Sequence, residues 1–206
     1  MIAIIDYGVG NLFSLERSFS FIGEDVVVTG ENDVIDKCDR IILPGVGAFA
    51  DAAKKLKNSG LDETVKKQAL SGKPILGICL GMQLLFDESH EYGVHKGLGL
   101  IKGKIASIDE DLKNAGIAGL KVPHIGWNSL QFEKDEPLFR YNKPGDYVYY
   151  VHSFYGTDCE ESIIATSEYG VTITGAVRSG KVYGTQFHPE KSGEAGLKML
   201  KAFMEV

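Results

Sequence analysis

Residues 77 to 81 read Gly-Ile-Cys-Leu-Gly and set a thiol between two glycines, directly after the apolar run Pro74-Ile75-Leu76. Such a run turning into a helix holds a side chain out from the end of a sheet, and small neighbours are needed because backbone crowds the turn. This is the nucleophile-elbow pattern G-x-S-x-G with sulfur in place of the serine oxygen. The helix amino terminus that follows offers unpaired N–H groups and a dipole that favour an anion. The alternative role for Cys79 is that of a small buried hydrophobe, and Cys38 and Cys159, in polar stretches without flanking glycines, keep that role.

A thiolate nucleophile needs a base and an acid. The stretch Gly184-Thr185-Gln186-Phe187-His188-Pro189-Glu190 supplies candidates at the end of the last predicted strand. In extended chain, residues two apart face the same way, so Glu190 can accept from His188 Nδ1–H and leave Nε2 to meet the sulfur. Taken singly, His188 reads as a strand-end histidine and Glu190 as a surface carboxylate; together with Cys79 they read as a triad. An acyl-enzyme also needs oxyanion donors. The Leu80 N–H follows the nucleophile, and Gly45-Val46-Gly47 closes a neighbouring predicted strand, where missing side chains let backbone reach a substrate, although such a turn can equally be a plain connection. His124 and His152 sit among aromatics and could line a pocket. No C-x-x-C or H-x-x-x-H pattern suggests a metal.

The elements that must position these groups alternate. Ile2 to Ile5, Val26 to Val28, Arg40 to Leu43 and Pro74 to Ile78 read as short buried strands. Helical spacing follows in Leu12, Leu15, Phe19 and Ile22, from Phe49 to Leu56, and from Leu61 to Leu70. Met82, Leu84, Leu85 and Phe86 read as the start of another helix. This predicts right-handed crossovers and a parallel sheet. Leu100 to Ile108, Gln131 to Phe132, Tyr147 to Val151, Ile163 to Ser167 and Val171 to Phe187 are β-rich, with antiparallel pairing expected and a hairpin turn at Ser179-Gly180. An amphipathic helix through Leu197, Leu200, Phe203 and Met204 ends the chain. The expectation is one α/β domain over residues 1–206, with a central mixed, mostly parallel sheet flanked by helices.

At 206 residues and 44% hydrophobic, the chain is long enough for a core of its own. A formal net charge of −6, with no Lys/Arg stripe, opposes nucleic-acid binding. The acidic Asp6 arrives too early for a secretory signal and no apolar stretch reaches bilayer-spanning length, so a cytoplasmic location without membrane contact is expected. Three cysteines make no disulfide framework. No nucleotide loop or cofactor lysine stands out, so no cofactor is expected.

With the elbow and the late His-Pro-Glu in place, the chain resembles the class I (triad) glutamine amidotransferases. Asp6 to Leu12, Leu43 to Phe49, Gly77 to Gln83, Pro123 to Asn128, Tyr150 to Phe154 and Phe187 to Ser192 look like the glutaminase subunits of imidazole glycerol phosphate synthase within that family. Pro-Gly-Val-Gly and Gly-Met-Gln stand where the anthranilate synthase type shows P-G-P-G and G-H-Q. Lys102 and Gly193 depart from the pattern, away from the chemistry. The resemblance implies a flavodoxin-like fold and hydrolysis of glutamine by Cys79, His188 and Glu190. It implies an oxyanion hole from Leu80, Val46 and Gly47, and a substrate site from Gly45, Gly47, Gln83, Ser153 and Phe154. It further implies delivery of ammonia to a separate (β/α)₈ cyclase subunit in a heterodimer. Asn11, Trp127 and Tyr149 are the candidates for that interface, with core packing as the alternative for Tyr149. A thiol sensor or another thiol hydrolase would share the elbow without needing this full set.

Overall fold

The computed structural model describes residues 1–206. The first half is β1 (Ile2–Ile5), α1 (Leu12–Phe21), β2 (Val26–Thr29), α2 (Asn32–Lys37), β3 (Arg40–Leu43), α3 (Phe49–Asn58), α4 (Leu61–Leu70), β4 (Ile75–Ile78) and α5 (Leu80–Leu84). There follow β5 (Phe86–Ser89), β6 (His95–Lys96), β7 (Ile101–Ser107), α6 (Ile108–Asn114), β8 (His124–Ser129) and β9 (Gln131–Phe132). The chain closes with β10 (Tyr147–His152), β11 (Phe154–Thr157), β12 (Ile163–Tyr169), β13 (Val171–Ser179), β14 (Val182–Thr185) and α7 (Gly193–Phe203).

Eight strands form a mixed sheet in the order β2-β1-β3-β4-β14-β13-β12-β9. It is parallel from β2 through β14 and antiparallel beyond. The unbroken apolar strands are explained by their two faces. Ile2 and Ile4 enter one core with Leu15 and Phe19 of α1 and Leu200 and Phe203 of α7. Ala3 and Ile5 enter the other with Phe49 and Leu56 of α3 and Val65 of α4. The chain is thus an α/β fold with a mixed sheet flanked by helices, as the alternation predicts.

Some details differ from the sequence reading. The helix expected through Phe86 stops after α5, and Phe86 begins a strand paired parallel to β7. Every residue from Leu80 to Phe86 is buried, so the run had no polar face to mark it as helix or strand. Strands β11, β7, β5 and β6 make a separate sheet, and β10 pairs with β8 in a third. The β13–β14 hairpin turns at Gly180 and Lys181, one residue later than read, with Gly180 at φ +59°. The helices α2 and α6 were not anticipated, although Ser107 caps α6 by accepting from Glu110 N–H.

The sheet order places β4 beside β14, so the residues leaving their carboxyl ends meet. The turn out of β4 is held by contact as well as by conformation. A Cβ on Gly81 would lie 1.8 Å from the Leu43 carbonyl oxygen, and one on Gly77 would lie 2.7 Å from the Gly81 oxygen. In denaturant unfolding, Gly81→Ala is therefore expected to cost about 3 kcal/mol as an overpacked site. Gly72→Ala, at φ +81° with nothing within 4 Å, should show only the left-handed penalty of about 1 kcal/mol. Equal losses at the two positions would show that the elbow is not close-packed.

Candidate active site

Cys79 occupies the turn between β4 and α5 at φ +54° and ψ −111°, a region that non-glycine residues rarely adopt. Its N–H donates to the Thr185 carbonyl at 2.7 Å, which ties the elbow to the end of β14. Three residues on, His188 donates its backbone N–H to the Tyr149 carbonyl at 3.0 Å. Pro189–Lys191 then forms a 3₁₀ turn, so His188 and Glu190 are brought together by that turn and not by the extended chain expected from their spacing. Ser192 fastens it: its hydroxyl donates to the His188 carbonyl at 2.6 Å and accepts from Tyr149 N–H at 3.0 Å.

His188 Nδ1 and Glu190 Oε1 are 2.7 Å apart, and both side chains are 2% exposed. Nε2 is buried without a hydrogen-bond partner in good geometry and faces the Cys79 sulfur. Burial alone would lower the His188 pKa, but the adjoining Cys79 sulfur and the Glu190 carboxylate outweigh it and raise the value to about 9. The ring is therefore a cation at neutral pH, with one N–H on the carboxylate and the other aimed at sulfur. Burial has the opposite result at Cys159, whose thiol it pushes up to about 11, and it raises Cys38 as well. Those two remain inert thiols.

A cleft of about 400 Å³ opens over the sulfur. Cys79, Leu80, Val46, Gly47, Gln83, Ser153, Phe154 and His188, all singled out in the sequence, line it. Gly45 does not. It is buried below, where a Cβ would come within 2.8 Å of the Gly81 nitrogen, so its role is to let the β3 turn lie against the elbow. The Tyr7 hydroxyl donates to the Pro44 carbonyl at 2.7 Å and pins the start of that turn, while Val46 and Gly47 beyond it are exposed. The Val46 and Gly47 amides have no acceptor within the fold.

Glu91 and Tyr92 also line the cleft and were not found by sequence reasoning. Glu91 accepts from the Phe49 N–H at 2.5 Å and so caps α3 just after Gly47. Tyr92 packs edge-on to Phe154 at 5.9 Å. Both stand at the β5–β6 hairpin, which carried no chemical motif. His152 reaches the cleft, as its aromatic surroundings suggested. It donates Nδ1–H to the Phe154 carbonyl at 2.8 Å and accepts at Nε2 from His124 Nδ1–H at 3.1 Å. Burial lowers His124 to about 4 and His152 to about 3, so this pair is neutral beside a charged His188.

Of the proposed interface residues, Trp127 is 55% exposed on β8 and stacks edge-on with Tyr149 of β10 at 6.0 Å. Tyr149 is half-buried, and its backbone holds the His188 turn. Asn11 is half-buried and caps α1 by accepting from Ser14 N–H at 3.4 Å. No helix is long and apolar enough to cross a membrane.

Comparison with known proteins follows the same lines. The family model for "Glutamine amidotransferase class-I" matches residues 3–206. The chain is 48% identical over 206 residues to "Imidazole glycerol phosphate synthase subunit HisH" of Listeria monocytogenes serotype 4a, covering 100% of this chain and 96% of that one. It is 46% identical to the protein of the same name from Caldanaerobacter subterraneus subsp. tengcongensis, covering 100% and 98%. Among solved structures, a chain of PurLQS from Thermotoga maritima superposes with a TM-score of 0.75 at 21% identity, covering 99% of this chain and 97% of that one.

The three buried histidines titrate apart in this arrangement. Because the folded value at His188 lies above the ordinary 6.5, the stability this ring contributes is complete below about pH 6.5 and is lost as pH rises through about 9. In an imidazole NMR titration, His188 should keep its second proton through pH 8 and lose it near 9. His124 and His152 should stay neutral down to about 4 and about 3. A His188 midpoint near the ordinary 6.5 would contradict the ion-paired site.

Proposed function

The chain belongs to the class I glutamine amidotransferases, and on that footing we propose that it is the glutamine-hydrolysing subunit of an imidazole glycerol phosphate synthase in histidine biosynthesis. The observation that carries the reading is the buried His188–Glu190 contact at 2.7 Å with the Cys79 sulfur adjoining the ring, at the floor of a cleft lined by Gln83, Ser153 and Phe154.

The chemistry proceeds in two halves. The Cys79 thiolate adds to the carboxamide carbon, and the carbonyl oxygen takes up the charge opposite Leu80 N–H and a Val46 or Gly47 amide. As the C–N bond breaks, His188 Nε2–H protonates the departing nitrogen, so that ammonia leaves and a glutamyl thioester remains on Cys79. The now neutral His188 takes a proton from water, and the hydroxide adds to the thioester. The C–S bond breaks with its electron pair returning to sulfur, which releases glutamate and restores the starting ion pair. Glu190 holds the ring through both halves. Gln83 and the Ser153-Phe154 backbone grip the amino-acid end of the substrate.

Ammonia freed into water at neutral pH would be protonated, so its use as a nucleophile calls for a closed contact with a (β/α)₈ cyclase subunit in the cytoplasm. The exposed Trp127 beside Tyr149 is one candidate for that contact and the Asn11 turn is another. The exposed Val46 and Gly47, with Gly47 at φ +96°, give the oxyanion turn freedom to respond to the cyclase.

Glutamate release in the presence of the cyclase and its ribotide substrate tests the reading. His188→Ala should lower it by roughly 10²- to 10⁴-fold, the usual contribution of a general acid–base. An unchanged rate would remove His188 from the chemistry. The isolated subunit should hydrolyse glutamine far more slowly than the ligand-bound complex, and equal rates would rule out partner control of the oxyanion turn.

A further inference from the structure

Gln186 is fully buried between the sulfur and Gln83. Its Nε2 lies 3.7 Å from Cys79 Sγ, within reach of a hydrogen bond to sulfur, and its Oε1 accepts from Gln83 Nε2–H at 3.0 Å. Gln83 Nε2 also donates to the Phe154 carbonyl at 3.0 Å. A backbone carbonyl has only lone pairs to offer, so the Gln83 atom facing it is nitrogen. Both hydrogens of that NH₂ group are then engaged, and the Gln186 atom facing it is oxygen. Gln186 is left with nitrogen toward the sulfur. The polarity of the row is set at Phe154, whose carbonyl also receives His152 Nδ1–H at 2.8 Å.

We propose that Gln186 is a further catalytic residue: its side-chain N–H donates to the Cys79 sulfur and holds it as a thiolate, both at rest and when the C–S bond of the thioester breaks. In the second role it stabilises the negative charge that the electron pair of the breaking C–S bond returns to sulfur, as a donor additional to His188, which by then carries the proton taken from water. Gln83, with both N–H groups engaged, offers the cleft only its Oε1, an acceptor suited to the substrate's ammonium. One row of amides thus joins the group that recognises substrate to the atom that attacks it. The kinetic part of the proposal rests on the glutaminase reading, but the hydrogen bond to sulfur does not.

The test compares iodoacetamide alkylation of Cys79, read by peptide mass against pH, in wild type, Gln186→Glu and Gln186→Met, with circular dichroism and melting to confirm folding. The Glu variant keeps the acceptor for Gln83 but replaces the donor with negative charge; the Met variant removes both. Alkylation at pH 7 is expected to fall at least about tenfold in each, as for loss of a hydrogen bond to a charged group, and Gln83→Met should move the profile in the same direction by freeing the Gln186 amide to rotate. A folded Gln186 variant with the wild-type profile would overturn the proposal. In the wild-type chain, which needs no substitution, the Gln186 side-chain amide resonances should shift when Cys79 is alkylated, and unchanged resonances would equally overturn it. A wild-type chain with the expected alkylation behaviour and no glutaminase activity with its cyclase would defeat the functional reading while leaving the donor in place.

Discussion

The left-handed backbone of Cys79 is the constraint from which the site follows. A non-glycine residue at φ +54° is held at a cost of about 1–2 kcal/mol, and only a surrounding that over-determines the turn keeps it there. That surrounding is identifiable: Gly81 pressed on the Leu43 carbonyl, Gly45 pressed on Gly81, and the Cys79 N–H on Thr185. Because β14 is inserted next to β4 in the sheet, the tie to Thr185 also sets where the chain toward His188 begins. Relaxing the elbow would move the sulfur away from the ring, the Val46-Gly47 turn and the amide row together.

Electrostatically the cleft separates imidazoles by their partners. His188 has a carboxylate on one nitrogen and sulfur beside the other, and it is charged. His152, which also lines the cleft, has a carbonyl and another imidazole, and it is neutral. Burial disfavours a cation in both places, so the difference is made by whether an anion is in contact. A neutral His152 can keep its Nδ1–H on the Phe154 carbonyl and its Nε2 as an acceptor without competing for the proton that His188 moves in the proposed reaction.

Much of this was legible in the sequence, and the reasons are local. Buried parallel strands announce themselves as apolar runs, and Gly77 and Gly81 mark the elbow because no other residue fits where backbone meets backbone. His188 and Glu190 were paired correctly in space by a spacing rule that does not hold there, since a 3₁₀ turn from Pro189 does the work. The same rule, applied two residues earlier, would have put Gln186 on the side of His188. What the sequence could not display were contacts between distant segments. Glu91 on the start of α3 and Tyr92 on Phe154 depend on how the second sheet folds against the first, and Phe86 entered that sheet because its neighbours were buried all round and carried no periodicity. Gly45 was legible as a necessary glycine, but not as one facing the elbow in place of the substrate.

The proposed chemistry requires the Cys79 sulfur to form and release a covalent bond within this geometry. The most direct measurement is rapid acid quenching of the complex with cyclase, its ribotide and carbon-labelled glutamine during turnover, followed by peptide mapping. A labile glutamyl thioester on the peptide containing Cys79, appearing at the rate of ammonia formation and decaying at the rate of glutamate release, is the predicted result. Ammonia formed at full rate with no label on that peptide, or with label on another residue, would contradict it.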